Sequence, residues 1–251
     1  MASEKEPGGE LPAADKRLSI WERLEHPTPA PRASLTHDQI AAAAVEIADT
    51  EGLDCVSIRR LAGRLGVAPM ALYRYVSSKE EIFELMVDAV HAGGVDFGAT
   101  SGDWRAVMRA TAHGSRATML RHPWLGRVSS QVVTALTPSQ LASAERALAA
   151  LDGLDLDADT MMAIFDTVIA YARGATAREV VLLENMKREG WQTGDDVRDA
   201  LAPHMIWHMR TGRYPTFQQW AREAKRKDDV EWRFDFGLDC VLNGIAAQLS
   251  I

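Results

Sequence analysis

Residues 57–75 read SIRRLAGRLGVAPMALYRY, and this stretch decides the fold of the chain. Ser57 is a residue type that caps helices, and apolar residues follow it at helical spacing until Gly66 stops the helix. A second, short helix is predicted over 68–75, with Pro69 tolerated because it falls in the first turn. Two helices joined by a tight turn predict a helix-turn-helix, whose second helix enters the major groove of DNA.

The side chains of this motif suit contact with a nucleic acid. Ala68, Pro69, the unbranched Met70 and Ala71 keep the leading edge of the second helix slim enough for a groove about 12 Å wide. Ser57 lies at a helix start, where free N–H groups favour a phosphate oxygen, and Lys79 opens the next helix. The same spacing also fits ordinary amphipathic helices of an all-α protein, in which Tyr73 and Tyr75 would be core residues.

The distribution of charge supports the first interpretation. The net charge of −7 taken alone argues against a nucleic-acid binder. Residues 57–79, however, contain five basic residues and no acidic one, which leaves −12 on the remainder. A basic face on an acidic body is expected when one module contacts phosphate and the rest does not.

Composition limits the class of protein. A chain of 251 residues with 47% hydrophobic and 25% charged residues is typical of soluble globular proteins. No window approaches the roughly 18 consecutive apolar residues of a membrane helix, and residues 1–17 lack the apolar core of a secretory signal. Cys55 and Cys240 form neither a CxxC pair nor a disulfide framework, and we expect both to be reduced and buried. The expected compartment is the cytoplasm.

The chain is predicted to be all-α throughout. We divide it into a flexible arm (1–33), a three-helix helix-turn-helix DNA-binding domain (34–80) and a larger helical ligand-binding and dimerisation domain (81–251). Within the arm, an apolar set around Ile20 and Trp21 predicts a short amphipathic turn that docks on the body. Thr36 with Gln39, and Ser78 with Glu81, form capping-box patterns at helix starts. Further helices are predicted at 103–121, 137–151, 157–188, 195–211, 216–226 and 229–249.

The run from Ile40 to Ala89 resembles the TetR family of tetracycline-repressor-like regulators. The resemblance is carried by DTEGLDCVSIRRLAGRLGV (49–67) and ALYRYVSSKEEIFELM (71–86). Looser matches to the tetracycline-repressor-type C-terminal domain are RHPWL (121–125), Tyr171 to Gly174 with Glu179 beyond, and Phe236-Gly237-Leu238. Together the resemblance covers about residues 35–250.

The resemblance implies a homodimer that binds a palindromic operator in double-stranded DNA and is released by a small-molecule effector. By alignment, Ser57, Arg59 and Lys79 would hold phosphates, Tyr75 a flanking phosphate, and Pro69, Met70, Ala71 and Tyr73 would face the bases. Several family members have Gln or Thr where this chain has Pro, Met and Ala. Direct base readout is therefore expected to be reduced in favour of thymine methyl contacts and DNA shape, with Arg60 and Arg74 as candidates for compensating contacts.

Candidates for effector binding lie in the larger domain. His113 and Arg116 are three apart on one helix and suit an acidic or carbonyl-bearing ligand, although a solvated face explains them equally well. Flexible thioethers and flat aromatics suit apolar ligands, and core packing is the alternative for each. The candidates are His113, Arg116, Trp124, Met161, Met162, Phe165, Tyr171, His204 and Trp207. His204 and His208 lie four apart without a carboxylate between them, so we expect no metal, and nothing in the sequence indicates a cofactor.

The long 157–188 segment is apolar on more than one face and must therefore be covered on two sides. Small residues at Gly174, Ala175 and Ala177, with Ala246, Ala247 and Leu249 of the last helix, predict a four-helix dimer interface. No GxSxG elbow, phosphate loop or paired-carboxylate motif indicates an enzyme. One rival is a regulator of this fold without a ligand, which predicts a filled core. The other is an all-α enzyme or carrier, which predicts a polar cluster with shifted pKa values inside the body.

Overall fold

The structure, a computed structural model, describes residues 19–25, 35–93, 103–128 and 137–251. Helices and short turns account for the regular structure of these residues, and the described part of the chain contains no strand, as the all-α prediction requires. The helices are α1 (Ile20–Glu25), α2 (His37–Glu51), α3 (Ile58–Leu65), α4 (Pro69–Leu72), α5 (Lys79–Ala92), α6 (Trp104–Arg121), α7 (Leu125–Val128), α8 (Pro138–Ala149), α9 (Ala158–Glu189), α10 (Gly194–Arg210), α11 (Pro215–Glu223) and α12 (Val230–Leu249).

Most helix bounds agree with the sequence prediction, and the differences have local causes. The structure adds a 3-10 turn at Leu53–Cys55 and the short helix α7, both too brief to show a helical period in the sequence. The predicted helix over 68–75 is shorter, because only Pro69–Leu72 keep helical geometry before a turn begins. Much of the arm, at 1–18 and 26–33, lies outside the described residues.

Helix starts are fixed by side-chain caps. Thr36 Oγ1 accepts from the N–H of Gln39, and the Gln39 side chain accepts in return from the N–H of Thr36, which confirms this capping box. At α5 the cap is only half of the predicted box. Ser78 accepts from the N–H of Glu81, but the Glu81 carboxylate accepts from the N–H of Ser77 and pairs with Arg23 of α1.

Two apolar clusters form the core. The first gathers α1 to α5 together with the segment 124–128, and the second gathers α6, α8, α9 and α12. Ile20 of α1 is fully buried in the first cluster, which confirms the docked turn predicted in the arm. The prediction that both cysteines are buried is wrong, because the 3-10 turn and the outer face of α12 leave Cys55 and Cys240 exposed.

Helix α9 buries one stripe inside the chain. The buried residues recur every four positions from Ile164 to Val180 and face α6 and α12. In contrast, neither α10 nor α11 has a buried residue. Within the described ranges, no helix combines the length and apolarity that a bilayer crossing requires.

Candidate nucleic-acid interface and effector cleft

The α3–α4 unit is anchored from within. Ser57 Oγ accepts from the N–H of Arg60 at 3.2 Å and starts α3, and Gly66 ends it in the left-handed region at φ 66°. Leu61 of α3 and Leu72 of α4 are completely buried in the first cluster. The two helices therefore have a fixed relative geometry, as a helix-turn-helix requires.

The outer edge of α4 is open to solvent. Met70 is 75% exposed and Tyr73 is 53% exposed, next to exposed Pro69 and half-buried Ala71. The alternative that Tyr73 is a core residue is therefore wrong. For Tyr75 that alternative holds in part, since its half-buried ring packs edge-on against His37 at 5.6 Å between centroids.

The basic residues of this face fall into two groups. Arg60 donates to both carboxylate oxygens of Glu51, at 2.9 and 2.5 Å, and Arg64 pairs with Glu46. The hydrogen bond from Arg60 holds the pKa of Glu51 below its ordinary value. Arg60 is thus a support between α2 and α3 in the free protein, and as a compensating DNA contact it would first have to leave Glu51.

The basic residues of the second group form no ion pair with a described carboxylate, so their charges can contact phosphate. Among the described residues, exposed Arg59 and Arg74 have no carboxylate partner. Lys79 is the first residue of α5, exposed, with its ammonium 5.2 Å from the centroid of the Phe83 ring. Ser57 already accepts from a backbone N–H, but its hydroxyl proton remains free to donate to phosphate. These residues and the exposed edge of α4 make up the candidate DNA-contacting surface, and each of them is exposed to solvent except the half-buried Ala71.

A cleft of about 470 Å³ opens in the larger domain. It lies between the end of α5 and the helices α6, α8 and α9. Its walls include Val90, His91, Thr111, Ser115, Thr118, Arg121, Ser139, Gln140, Leu141, Met162, Phe165, Asp166, Ile169 and Arg173. Pockets of about 300–1,000 Å³ with mixed apolar and polar walls are typical of small-molecule sites.

Only Met162 and Phe165 of the predicted effector residues line this cleft. Met161 and Tyr171 instead pack against the second apolar cluster. The Tyr171 hydroxyl donates to the carbonyl of Phe234 at 2.7 Å and lies where a Cβ at Gly237 would clash, so it joins α9 to α12. His204 and Trp207 lie exposed on α10, outside the cleft walls.

His113 and Arg116 are engaged by the protein itself. Arg116, with a side chain only 9% exposed, donates to both carboxylate oxygens of Glu179 at 3.0 Å each and stacks on the Phe234 ring. His113 Nε2 lies 3.0 Å from Asp235 Oδ1. These pairs tie α6 to α9 and α12, which accounts for Glu179 in the family-like pattern.

Trp124 does not belong to the larger domain's cavity at all. It is buried in the first cluster, because the chain after α6 turns back against the DNA-binding domain. No group of three or more potential metal-ligating side chains occurs among the residues with described positions.

Sequence reasoning missed the polar wall of the cleft. Thr111, Ser115 and Thr118 lie four and three positions apart on α6, so a polar stripe along a half-buried helix was the available signal. His91 gave no such signal. Burial lowers the pKa of His91 below its ordinary value, and its Nδ1 lies 2.7 Å from the carbonyl of Val87. A neutral ring that donates from Nδ1 keeps Nε2 as an acceptor.

Comparisons with known proteins agree with this architecture. Residues 40–86 match the model of bacterial regulatory proteins of the tetR family, and residues 98–249 match the tetracyclin repressor-like C-terminal domain. The HTH-type transcriptional repressor DrrR1 of Streptomyces coeruleorubidus is 32% identical over 234 residues, covering 92% of this chain and 84% of that protein. An HTH-type transcriptional regulator of Saccharopolyspora erythraea is 31% identical over 236 residues, covering 93% of each chain.

A solved structure shows the same fold with a ligand. The TetR family protein ActR of Streptomyces coelicolor in complex with actinorhodin superposes with a TM-score of 0.67 at 25% identity, covering 86% of this chain and 97% of that one. Family model, relatives and fold therefore agree with the exposed helix-turn-helix surface. The chain belongs to the TetR family of DNA-binding transcriptional regulators and carries a tetracycline-repressor-like C-terminal domain.

Proposed function

We propose that this protein is a cytoplasmic repressor that binds a palindromic operator as a homodimer and leaves it when a small molecule occupies the cleft. The observation that carries the proposal is the exposed edge of α4, held by a buried anchor beside the available charges of Arg59, Arg74 and Lys79. Each subunit places residues 68–75 in a major groove, and the two copies stand about 34–36 Å apart on one face of the duplex. The domain limits 34–80 and 81–251 belong to this proposal.

The chemistry of the α4 edge suits a particular way of reading DNA. Met70 and Ala71 offer apolar contacts that fit thymine methyl groups, and Tyr73 contributes a hydroxyl. Lys79 and Arg59 supply phosphate contacts that carry no sequence information. The complex is therefore anchored mainly by charge, and its sequence preference relies on methyl contacts and DNA shape.

Two exposed stripes support a homodimer. Helix α9 leaves small residues exposed at alternating spacings of four and three, opposite its buried stripe: Ala163, Thr167, Ala170, Gly174, Ala177 and Val181. Helix α12 exposes Phe236, Cys240 and Ala247 on the side away from its own core. Small side chains let helices approach closely, so two such pairs of helices fit a four-helix interface.

Only some of the small residues predicted for the dimer interface are exposed on the single chain. Ala246 is buried and Ala175 and Leu249 are half-buried against the chain's own second cluster, so they are occupied within one subunit. Gly174, Ala177 and Ala247 stay exposed and remain in the proposed interface. The exposed apolar side chains of α10 and α11, among them Trp207 and Trp220, offer further surface for a second copy.

The cleft favours a small-molecule effector over the rival without a ligand. That rival predicts a filled core, whereas the larger domain holds a space of about 470 Å³ with hydroxyl, imidazole, thioether and phenyl groups in its walls. ActR, whose structure contains actinorhodin, shares the fold. An effector that binds the cleft only in one arrangement of the two subunits shifts the population away from the operator-binding state. The polar groups expected by the enzyme rival, Arg116 and His113, are paired with carboxylates.

The test is a titration of the full chain against a palindromic duplex selected from random sequences, repeated at several salt concentrations. Phosphate contacts release counterions, so the logarithm of affinity should fall linearly with the logarithm of salt. Lys79→Ala should weaken binding to all duplexes alike and reduce the slope by about one. Lys225→Ala, at an exposed lysine of the larger domain, is the matched control and should leave the slope unchanged. Salt-independent binding, or an unchanged slope in Lys79→Ala, contradicts the proposed docking.

A further inference from the structure

The junction between α6 and α7 reaches across to α2 of the DNA-binding domain. Trp124 Nε1 donates to Asp49 Oδ1 at 2.6 Å. His122 Nδ1 lies 2.9 and 3.0 Å from the two carboxylate oxygens of the same Asp49. One carboxylate thus connects His122 and Trp124 of the family-like segment RHPWL, neither of which belongs to the candidate DNA-contacting residues or to the walls of the cleft.

This contact lies at the edge of the first apolar cluster, with the Trp124 ring buried and Asp49 on the solvent side. The side chains of His122 and Asp49 are 12% and 29% exposed, and the rings of His122 and Trp124 lie 5.7 Å apart. Trp124, Leu125 and Val128 are buried in the first apolar cluster, among side chains of the DNA-binding domain. Residues 124–128 of the larger domain therefore pack into the core of the smaller one, and Asp49 binds this segment through the Trp124 Nε1 donor.

An ion pair between the same two segments of the chain is more exposed than the contact at Asp49. Arg127 lies 2.9 Å from Asp54 Oδ1, and both side chains are mostly exposed. Exposed ion pairs of this kind contribute little to the stability of the fold, because solvent screens the attraction between their charges. Asp54 is therefore a matched control for Asp49.

The contact at Asp49 stands between the cleft and α3. On one side, Thr118 and Arg121 of α6 line the cleft, and His122 follows directly as the C-cap of that helix. On the other side, Asp49 precedes Glu51 by two residues, and Glu51 holds Arg60 of α3. The contact at Asp49 thus joins the end of a helix that lines the cleft to the end of α2, which holds α3 through Glu51.

We propose that Asp49 is a positioning residue that, with Trp124, fixes the angle between the two domains and thereby the distance between the two recognition helices of the dimer. This inference rests on the proposed function. A carboxylate suits the role because it accepts two hydrogen bonds at once and because charge makes both stronger. When the contact is lost, each DNA-binding domain can tilt, and the dimer accepts half-sites at more than one separation.

The experiment uses the palindromic duplex selected by the wild-type chain, together with versions in which one base pair is inserted or removed between the half-sites. Dissociation constants are measured at one fixed salt concentration for the wild type, Asp49→Ala, Trp124→Phe and the control Asp54→Ala. Trp124→Phe keeps an aromatic ring in the core and removes the Nε1 donor together with part of the indole. Thermal unfolding followed by circular dichroism confirms that each variant is folded at the temperature of the assay.

The wild type and Asp54→Ala should prefer the selected spacing, and Asp49→Ala and Trp124→Phe should lose about fivefold or more of that preference. A variant that is merely less stable would bind all three duplexes more weakly by the same factor. If Asp49→Ala does not fold, Trp124→Phe decides the question. Unchanged spacing preference in the folded variants overturns the positioning role. A wild type that binds no duplex, or binds all spacings alike, instead contradicts the dimeric operator complex of the proposed function.

Discussion

Arg116 shows how a single residue that looked like a ligand contact acts as a structural link. It extends from α6 between Glu179 of α9 and Glu231 of α12, and its guanidinium stacks on Phe234. The side chains of Arg116 and Glu179 are only 9% and 13% exposed, so this pair keeps little water, whereas Glu231 is 72% exposed. Removal of one partner leaves the other charge buried without compensation.

Arg116→Ala should therefore lower the free energy of unfolding by about 3–5 kcal/mol, the usual cost of breaking a buried pair. The measurement is chemical denaturation of the full chain, followed by circular dichroism. The control is Asp239→Ala, which removes an ion pair with Arg109 between α6 and α12 that is close to half-exposed at both ends. Asp239→Ala should lower the free energy of unfolding by no more than about 1 kcal/mol. Equal losses in the two variants contradict the role assigned to Arg116.

At the scale of elements, the turn between α3 and α4 depends on one backbone conformation. Gly66 has φ 66° and ψ 28°, and its N–H donates to Ala62 to close α3. A Cβ at Gly66 would meet no atom within 4 Å, so any penalty for a side chain comes from the backbone alone. Gly63, inside α3, has equally open space but an ordinary helical conformation.

Alanine substitutions at the two glycines should change the free energy of unfolding in opposite directions. Gly66→Ala should destabilise the chain by about 1–2 kcal/mol, because L-residues are strained in the left-handed region. Gly63→Ala should stabilise it by about 0.5–1 kcal/mol, since alanine loses less backbone entropy in a helix interior. Thermal and chemical unfolding of the two variants provide the comparison. A stabilising Gly66→Ala would mean that the turn has another conformation.

At the scale of the whole molecule, the exposed stripe on α9 is the feature that a single chain leaves unexplained. Its members from Ala163 to Val181 are small and mostly apolar, whereas the opposite stripe from Ile164 to Val180 is buried. A helix that is apolar on two sides requires cover on both. Among the described residues, α6, α8 and α12 pack on α9 and leave the stripe from Ala163 to Val181 exposed.

Ala177→Glu should therefore shift the protein from dimer to monomer, because a charge at a close helix crossing is buried without a partner. The measurement is sedimentation velocity over a range of concentrations, without DNA. Ala42→Glu, at an exposed alanine of α2, is the matched control and should leave the association unchanged. A wild-type chain that stays monomeric at all concentrations, or an Ala177→Glu variant that stays dimeric, refutes the proposed interface.

The sequence by itself determined the elements and their order. Caps at Thr36 and Ser57, stops at Gly66 and the helical spacing of apolar residues are local signals, and they predicted the helix-turn-helix and most helix bounds. The sequence did not predict the short elements Leu53–Cys55 and Leu125–Val128, because a single turn is too short to show a helical period of apolar residues. The exposed edge of α4 also followed from the sequence, since the family resemblance gave each residue its place.

Only the tertiary structure decided which side chains meet. Met161 and Met162 are adjacent in sequence, yet the first packs against the core and the second lines the cleft, because neighbours on a helix point about 100° apart. Asp49 and Trp124 are 75 residues apart, and no pattern in the sequence pairs them. Helix formation depends on residues that are neighbours in the sequence and can therefore be predicted locally. Burial, side-chain pairing and the shape of a cleft depend on which helix faces meet in space, and no local pattern in the sequence shows which faces those are.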